Sequence, residues 1–129
     1  MTFHVLMLVY RNPALTPSQF KDHYENTHIP LMKSLTGNFF PISHTRRYIQ
    51  RAGGDEAHAA SVLGGSQNDF DFDCFSELKF ENEDGFKTMS ALLAGPELSP
   101  QVGEDCAAFM DAAKTKVVVL GEVVESRRD

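Results

Sequence analysis

Tryptophan is absent from this sequence and cysteine is scarce, with only Cys74 and Cys106 among 129 residues. The two cysteines lie far apart and form no Cys-x-x-Cys or Cys/His pattern, which argues against a disulfide framework and a structural zinc site. Two buried thiols in a reducing compartment are the simpler interpretation. The sequence also lacks the histidine and carboxylate spacings of metal sites, so we expect no metal. It lacks the glycine-rich motifs of nucleotide and flavin sites, so we expect no cofactor.

Positive charge and long apolar runs are also scarce. Lys and Arg number 12 against 18 Asp and Glu, and the only basic pairs are Arg46-Arg47 and Arg127-Arg128. These are too few to form a stripe that neutralises phosphates, so we expect no nucleic-acid partner. The longest apolar runs are far shorter than the roughly 18 residues that span a bilayer, and the N-terminus lacks the basic region of a signal peptide. We therefore expect a cytoplasmic protein with no membrane partner and one domain over residues 1–129.

The first half of the chain predicts a strand followed by an interrupted helix. Residues 3–10 are apolar except for His4 and end at a turn signal, which is typical of a buried strand. Residues 16–19 (TPSQ) combine a capping threonine, a first-turn proline and a glutamine that completes a capping box, so a helix should begin there. Pro30 should kink or break this helix at about Ile29, with a second piece that ends at Gly37.

The second half of the chain is divided by loops and helix caps. We expect strands over residues 41–51, 70–80 and 116–124, and helices from Asn82 to about Ala94 and from Ser99-Pro100 onward. The 41–51 strand is polar enough to be an edge strand. Residues 52–69 are predicted to form a long mobile loop that covers the pocket.

This order of elements predicts an α+β fold of the ferredoxin-like, split β-α-β-β-α-β type, with a four-stranded antiparallel sheet and helices on one face. The first and last strands, around Leu6 and Val118, are apolar on both sides. Because the helices cover only one face of the sheet, the other face needs a cover. The simplest cover is the sheet of a second copy, which predicts a homodimer.

Three stretches of the sequence carry a family resemblance: VLMLVYRNPALTPSQFKDHYENTHIPL, FPISHTRRYIQR and FDCFSELKFEN. Their most specific parts are His28-Ile29-Pro30 and the Asp-x-x-x-Glu-Leu-x-Phe pattern that begins at Asp73. Over nearly its whole length the chain resembles the EthD-like branch of the dimeric α/β-barrel superfamily, and the SHTRRYI stretch is most similar to members of fungal aromatic polyketide pathways. The resemblance implies a dimeric α/β barrel and a small, cofactor-independent protein that decarboxylates, dehydrates or cyclises reactive polyketides. The superfamily also contains isomerases and cofactor-free monooxygenases, so the fold alone does not fix the reaction.

His28 is the first candidate catalytic residue. On a helical wheel it lies near the stripe that contains Phe20 and Tyr24, so it should face the sheet. A histidine just before the helix break is either a core residue bonded to a freed carbonyl or a general acid/base active near neutral pH. We predict that His28 and His44 form the acid/base pair, in a pocket between the sheet and the broken helix.

His44, Arg46 and Tyr48 share one face of the second strand, because strand side chains alternate between faces. A histidine, a guanidinium and a phenol in one row could bind an enolate or carboxylate and move its proton. The alternative is that Arg46 and Arg47 pair across to carboxylates of the third strand.

Further candidates lie on the first and third strands. Related cyclases place a histidine at the start of the first strand, which brings His4 into the predicted site. Asp73 and Glu77 are either an acid/base pair or partners of the arginines. Related cyclases carry a histidine where this chain has Cys74, which weakens the case for a cyclase mechanism. The predicted substrate-binding residues are His4, Tyr24, Arg46, Tyr48, Asp73 and Cys74.

The sequence therefore predicts a cofactor-independent enzyme that acts on an aromatic polyketide or phenolic intermediate by histidine acid/base chemistry. Decarboxylation or dehydration is favoured over cyclisation or isomerisation. A cofactor-free monooxygenase of anthrone-like substrates is the alternative among enzymes. A dimer that only binds an apolar ligand, as in a stress response, is the alternative outside them.

Overall fold

One antiparallel sheet of four strands, in the order β2-β3-β1-β4, forms the base of the molecule. The strands β1 (Phe3–Val9) and β3 (Cys74–Phe80) are central, and β2 (Ser43–Tyr48) and β4 (Lys116–Leu120) are the edges. The computed structural model of the protein describes residues 1–52 and 57–129. The strand order is that of a ferredoxin-like α+β fold, as predicted, and the polar second strand lies at an edge.

The helical segment after β1 has two helices joined by a wide turn. The helix α1 (Pro17–His23) begins at Thr16, whose side chain accepts a hydrogen bond from the Gln19 N–H as the capping box predicts. A π-helical turn (Tyr24–His28) follows, and α2 (Ile29–Thr36) completes the segment.

Pro30 accounts for the wide turn. In a regular α-helix its ring would collide with the carbonyl of Asn26, and it has no N–H to offer that carbonyl. The Ile29 N–H instead bonds to the carbonyl of Tyr24. The predicted break at about Ile29 is therefore an inserted π turn that ends there, a distortion that is frequent at functional sites.

Two further helices complete the layer above the sheet. The helix α3 (Glu83–Ala94) is capped by Asn82, whose side chain accepts from the Gly85 N–H, and α4 (Ser99–Phe109) begins at the predicted Ser-Pro signal. None of the helices in residues 1–52 and 57–129 is long and apolar enough to cross a membrane.

All four strands are shorter than the sequence suggested, the first by a single residue. The second covers residues 43–48 rather than 41–51. The third begins at Cys74 rather than Phe70, since Gln67–Phe70 forms a 3₁₀ turn and Arg51 occupies the carbonyls of Phe70 and Phe72. The last ends at Leu120 rather than 124, because Leu120 already pairs with His4 near the start of β1.

The two faces of the sheet differ in their cover. On the helix side, Val9 packs in a core cluster with Phe20, and Val5 packs in a second cluster with Phe80 and Met89. The other side, which we call the open face, carries Leu6, Leu8, Phe75, Val118 and Leu120. On it Phe75 is 40% and Val118 56% exposed. The single chain thus leaves without cover a sheet face that carries these apolar side chains together with His4 and Glu77, and the strand pattern predicted the uncovered face.

Candidate active site

A cavity of about 200 Å³ lies between the sheet and the helices, beside the π turn. It occupies the place predicted for the pocket. Its walls come from both central strands, from β2, from the π turn and from α2, α3 and α4. The lining residues are Met7, Tyr24, His28, Met32, Phe40, Pro41, His44, Leu78, Met89, Leu93, Val102, Cys106 and Met110. Two histidines and a tyrosine therefore share an otherwise apolar chamber, and no lysine or arginine is among these lining residues.

The π turn places His28 in this cavity with one ring nitrogen already bound. His28 Nδ1 lies 2.6 Å from a carboxylate oxygen of Asp105 on α4. The second oxygen of Asp105 lies 2.8 Å from Nε2 of His23, whose ring stacks on Phe109 at 4.8 Å. Burial lowers the pKa of His28 and Asp105 opposes that shift. His28 is thus neutral near pH 7, and Nε2 is the nitrogen left for a ligand.

His44 reaches the cavity from β2 and meets Tyr24 there. The Tyr24 oxygen lies 3.4 Å from Nε2 of His44. Burial, reinforced by the nearby Arg46, lowers the pKa of His44 to about 4. Burial also raises the pKa of the Tyr24 phenol. Near pH 7 the imidazole is therefore neutral and the phenol keeps its proton, a combination that can donate to a developing oxyanion.

Arg46 and Tyr48 do not line the cavity, contrary to the prediction. Both are held by Glu25, a residue of the π turn: the Arg46 guanidinium binds its two oxygens at 2.6 and 2.8 Å, and the Tyr48 hydroxyl donates to it as well. Arg46 also donates to the His44 carbonyl. The predicted pairing of Arg46 with the third strand is wrong, because the π turn brings Glu25 closer than any carboxylate of that strand.

Asp73 also lies outside the cavity. Its carboxylate is 5% exposed and accepts from Arg11 and Arg51, each at 3.0 Å. Asp73 precedes β3 and joins the ends of two strands, so its acid/base pairing with Glu77 is not realised. It lines two other clefts instead.

His4 and Glu77 lie together on the open face of the sheet. Nδ1 of His4 is 3.1 Å from a Glu77 oxygen. Strand pairing sets His4 opposite Lys79 and Glu77 opposite Leu6, all on the face away from the helices. The sheet therefore separates His4 from His28 and His44. The period-two pattern placed His4 correctly beside Leu6, and the site role that the resemblance implied for His4 is not in this cavity.

Cys74 and Ser76 face the helices without lining the cavity. Cys74 is fully buried, and burial raises its pKa to about 12, so it remains an unreactive thiol near pH 7. Ser76 lies beside the Tyr24 phenol, but its hydroxyl has no hydrogen-bond partner among the described residues.

The loop predicted to cover the pocket, residues 52–69, lies away from this cavity in its described part. Residues 53–56 of that loop lie outside the described residues. Residues 57–69 contribute no side chain to the cavity of His28 and His44. They line separate clefts, and His58, with a φ of 47°, faces two of these. The described part of the loop therefore does not cover the candidate site.

Asp105 is the site residue that sequence reasoning missed. It lies four residues before Phe109 on α4, so both project toward the same side of the helix. An acidic residue next to the apolar stripe of a helix was the available signal, and only the fold brings it to His28. Among the described residues, no group of three His, Cys, Asp or Glu side chains is arranged to hold a metal ion.

Comparison with known proteins gives a consistent set of relatives. The model of the EthD domain matches residues 12–113. A decarboxylase of Passalora fulva, claH, is 29% identical over 126 residues, which is 95% of this chain and 77% of that protein. An EthD family protein from Bacillus halodurans superimposes with a TM-score of 0.57 at 18% identity, covering 95% of this chain and all of the other. A dimeric ferredoxin-like protein of unknown function from Thermobifida fusca gives a TM-score of 0.50 at 17% identity, over 95% and 92% of the two chains.

Proposed function

Because this chain belongs to the EthD domain family, we propose that it is an enzyme of secondary metabolism that removes CO₂ from an aromatic or polyketide-like acid. The substrate class is a carboxylic acid with a ketone or phenol oxygen β to the carboxyl group. The observation that carries the proposal is the apolar cavity that holds two neutral histidines and a protonated tyrosine. The Passalora fulva relative, a decarboxylase, supports the same reaction.

The lining of the cavity favours loss of CO₂ from a buried acid. No lysine or arginine is among its lining residues, so a carboxylate inside it has no cationic partner there. A localised carboxylate charge is poorly stabilised in such surroundings, whereas charge that spreads over an enolate or a phenolate is tolerated better. The substrate would enter as the neutral acid for the same reason.

His28 and Tyr24 act on the substrate in the proposed reaction, and His44 positions the Tyr24 hydroxyl. His28 Nε2 removes the carboxyl proton, and Asp105 stabilises the imidazolium that results. In an ortho-hydroxy acid this proton adds to the ring carbon before the C–C bond breaks, and the electron pair of that bond restores the aromatic ring as CO₂ leaves. In a β-keto acid the C–C bond breaks first, CO₂ leaves, and the electron pair passes to the ketone oxygen. Tyr24, next to His44, donates to that oxygen. The imidazolium of His28 returns its proton to carbon, so the acid gives one product molecule and one CO₂. No external oxidant or reductant is required.

A substrate panel tests this proposal. The purified chain would be incubated in D₂O with β-keto and ortho-hydroxy aromatic acids while CO₂ and dissolved O₂ are measured. We expect equimolar CO₂ and product, one deuterium at the carbon that carried the carboxyl group, and no O₂ uptake. O₂ uptake without CO₂ would favour a monooxygenase. Binding without turnover across the panel would favour a ligand-binding protein.

We also propose that residues 1–129 form one domain that assembles as a homodimer through the open face. Leu6, Leu8 and Phe75 leave an apolar surface there that a second sheet would cover. The Thermobifida fusca protein, which shares this fold, is a dimeric ferredoxin-like protein. The cavity of each protomer lies on the opposite side of its own sheet, so each would keep a separate site.

A further inference from the structure

We infer that Asp105 is a positioning residue that fixes the His28 ring with Nδ1 protonated and Nε2 free toward the cavity. This inference rests on the proposed function, because it assigns the form in which His28 enters the reaction. Asp105 contacts neither the cavity nor a substrate in this arrangement. It acts through His28 alone.

The geometry of the Asp105 carboxylate supports this role. A carboxylate only accepts hydrogen bonds, so the nitrogen of His28 at 2.6 Å from it must carry the proton. The Asp105 side chain is 8% exposed, which limits competition from water. The contact joins α4 to the π turn, which are far apart in sequence. The packing of α4 against this turn therefore sets the orientation of the His28 ring.

His23 holds the carboxylate in place from its other side. Nε2 of His23 donates to the second oxygen at 2.8 Å, and Phe109 supports the His23 ring by stacking at 4.8 Å. Both oxygens of Asp105 are therefore occupied by imidazole N–H groups. A carboxylate bound on both sides cannot rotate to release His28 without losing a second, part-buried hydrogen bond.

Besides Asp105 on α4, the charged and titratable groups around His28 come from its own π turn and from two further elements. His23 lies on α1, Tyr24 on the π turn, and His44 and Arg46 on β2. His23 and Arg46 lower the pKa of His28 together with burial, while Asp105 raises it. Arg46 is itself bound to Glu25. Asp105 is therefore the anion that directly stabilises a protonated His28, and its loss should lower that pKa further.

A purely structural tie between α1 and α4 would also use these contacts, and the two roles differ in what they change. Asp105→Asn keeps the size of the side chain but can donate an N–H to His28 Nδ1, which moves the imidazole proton to Nε2. A structural role predicts lower stability with the protonation state of His28 unaltered. A positioning role predicts that the proton of the His28 ring moves to the other nitrogen in a protein that remains folded.

The test is ¹⁵N NMR of the histidine rings in the full chain, with and without Asp105→Asn, and with Glu104→Gln as a matched control. Glu104 neighbours Asp105 on α4 and is exposed. We expect wild-type and control His28 to be protonated at Nδ1 near pH 7, and the Asp105→Asn ring to shift toward Nε2–H with a lower pKa. Wild-type His28 protonated at Nε2, or an Asp105→Asn ring identical to wild type, would overturn the inference.

Kinetics on an active substrate supply the second readout. For Asp105→Asn we expect kcat to fall by about tenfold or more while KM changes little. The acidic limb of the rate profile should move to lower pH with the pKa of His28. Asp105→Glu, which restores the carboxylate, should recover part of kcat. Asp105→Ser, which also lacks the carboxylate, replaces the amide variant if that one fails to fold. A fall in Tm with unchanged kcat would overturn the inference, whereas the NMR result stands even if no acid is decarboxylated.

Discussion

The hydroxyl of Tyr24 lies 3.4 Å from Nε2 of His44, although one residue belongs to the π turn and the other to an edge strand. This contact places a phenol that keeps its proton against an imidazole that stays neutral. Together with His28 it gives the cavity its polar side. The predictions below follow from this arrangement and from the residues that the structure places elsewhere.

Replacement of either cavity histidine should impair turnover without unfolding the protein. His28→Ala and His44→Ala are each expected to lower kcat by at least about tenfold, because a general base such as His28 contributes about 10²–10⁴-fold and His44 positions the Tyr24 phenol that donates to the developing oxyanion. Steady-state kinetics with circular dichroism would measure both effects. His58→Asn is the matched control, since His58 lies outside the cavity and asparagine tolerates its φ of 47°. Wild-type turnover in both cavity variants would show that the chemistry is elsewhere.

The stability of the protein should fall as pH drops below about 6.5, in part because of His44. The folded chain keeps His44 neutral down to a pKa of about 4, against an ordinary value of 6.5. The unfolded chain therefore binds more protons in that window, and stability is lost as pH falls through it. The contribution of His44 is on the order of 3 kcal/mol, and above pH 6.5 it adds no pH dependence.

Urea denaturation of wild type and His44→Gln across this range checks the effect. The glutamine variant should lose less of its free energy of unfolding between about pH 7 and pH 4, by the amount that His44 contributes. Carboxylates titrate in both proteins and cancel in the comparison. Equal losses in the two proteins would mean that folding leaves the pKa of His44 at its ordinary value.

Asp73 should matter for stability and not for chemistry. Asp73→Asn leaves Arg11 and Arg51 around a neutral side chain, and breaking a buried ion pair in this way costs about 3–5 kcal/mol. We expect a clearly lower Tm, with kcat of the folded enzyme within about twofold of wild type at a temperature where both are folded. A large fall in kcat with an unchanged Tm would return Asp73 to the active site.

The proposed dimer can be tested with two adjacent valines of β4. Val118 belongs to the open face, and Val117 points to the other side, yet they are 56% and 55% exposed. Val118→Glu should give a monomer at micromolar concentration, because the charge would be buried between two sheets. Val117→Glu should leave the dimer intact. Light scattering distinguishes these outcomes, and a monomeric wild type, or a dimer that survives Val118→Glu, would contradict the interface.

The sequence was sufficient for the fold because its signals are local. Thr16 and Asn82 cap helices where predicted, and Pro30 interrupts the first helical segment. Alternation identified which strand residues share a face. These features depend on neighbours within a few residues, which is the range over which caps and periodicity act.

The candidate site was predicted only in part, because its contacts connect distant segments. His28, His44 and Tyr24 meet as expected, since a stripe and a strand face each point to the same layer. The hydrogen-bond partners of the charged residues could not be predicted from helix stripes and strand faces. Glu25 forms an ion pair with Arg46 because Glu25 lies on the π turn, which faces β2. Asp105 contacts His28 because α4 packs beside the π turn. Polar pairing of this kind is decided by tertiary geometry rather than by periodicity.

Histidine NMR during titration with a competitive product or substrate analogue tests the central claim most directly, because the five histidines lie in different parts of the molecule. His28 and His44 line the cavity, His23 lies behind Asp105, His4 is on the open face and His58 faces separate clefts. We predict that the ring signals of His28 and His44 shift together with one dissociation constant, while those of His4 and His58 stay in place. Shifts confined to His4 or His58, with His28 and His44 unchanged, would contradict the assignment of the cavity as the active site.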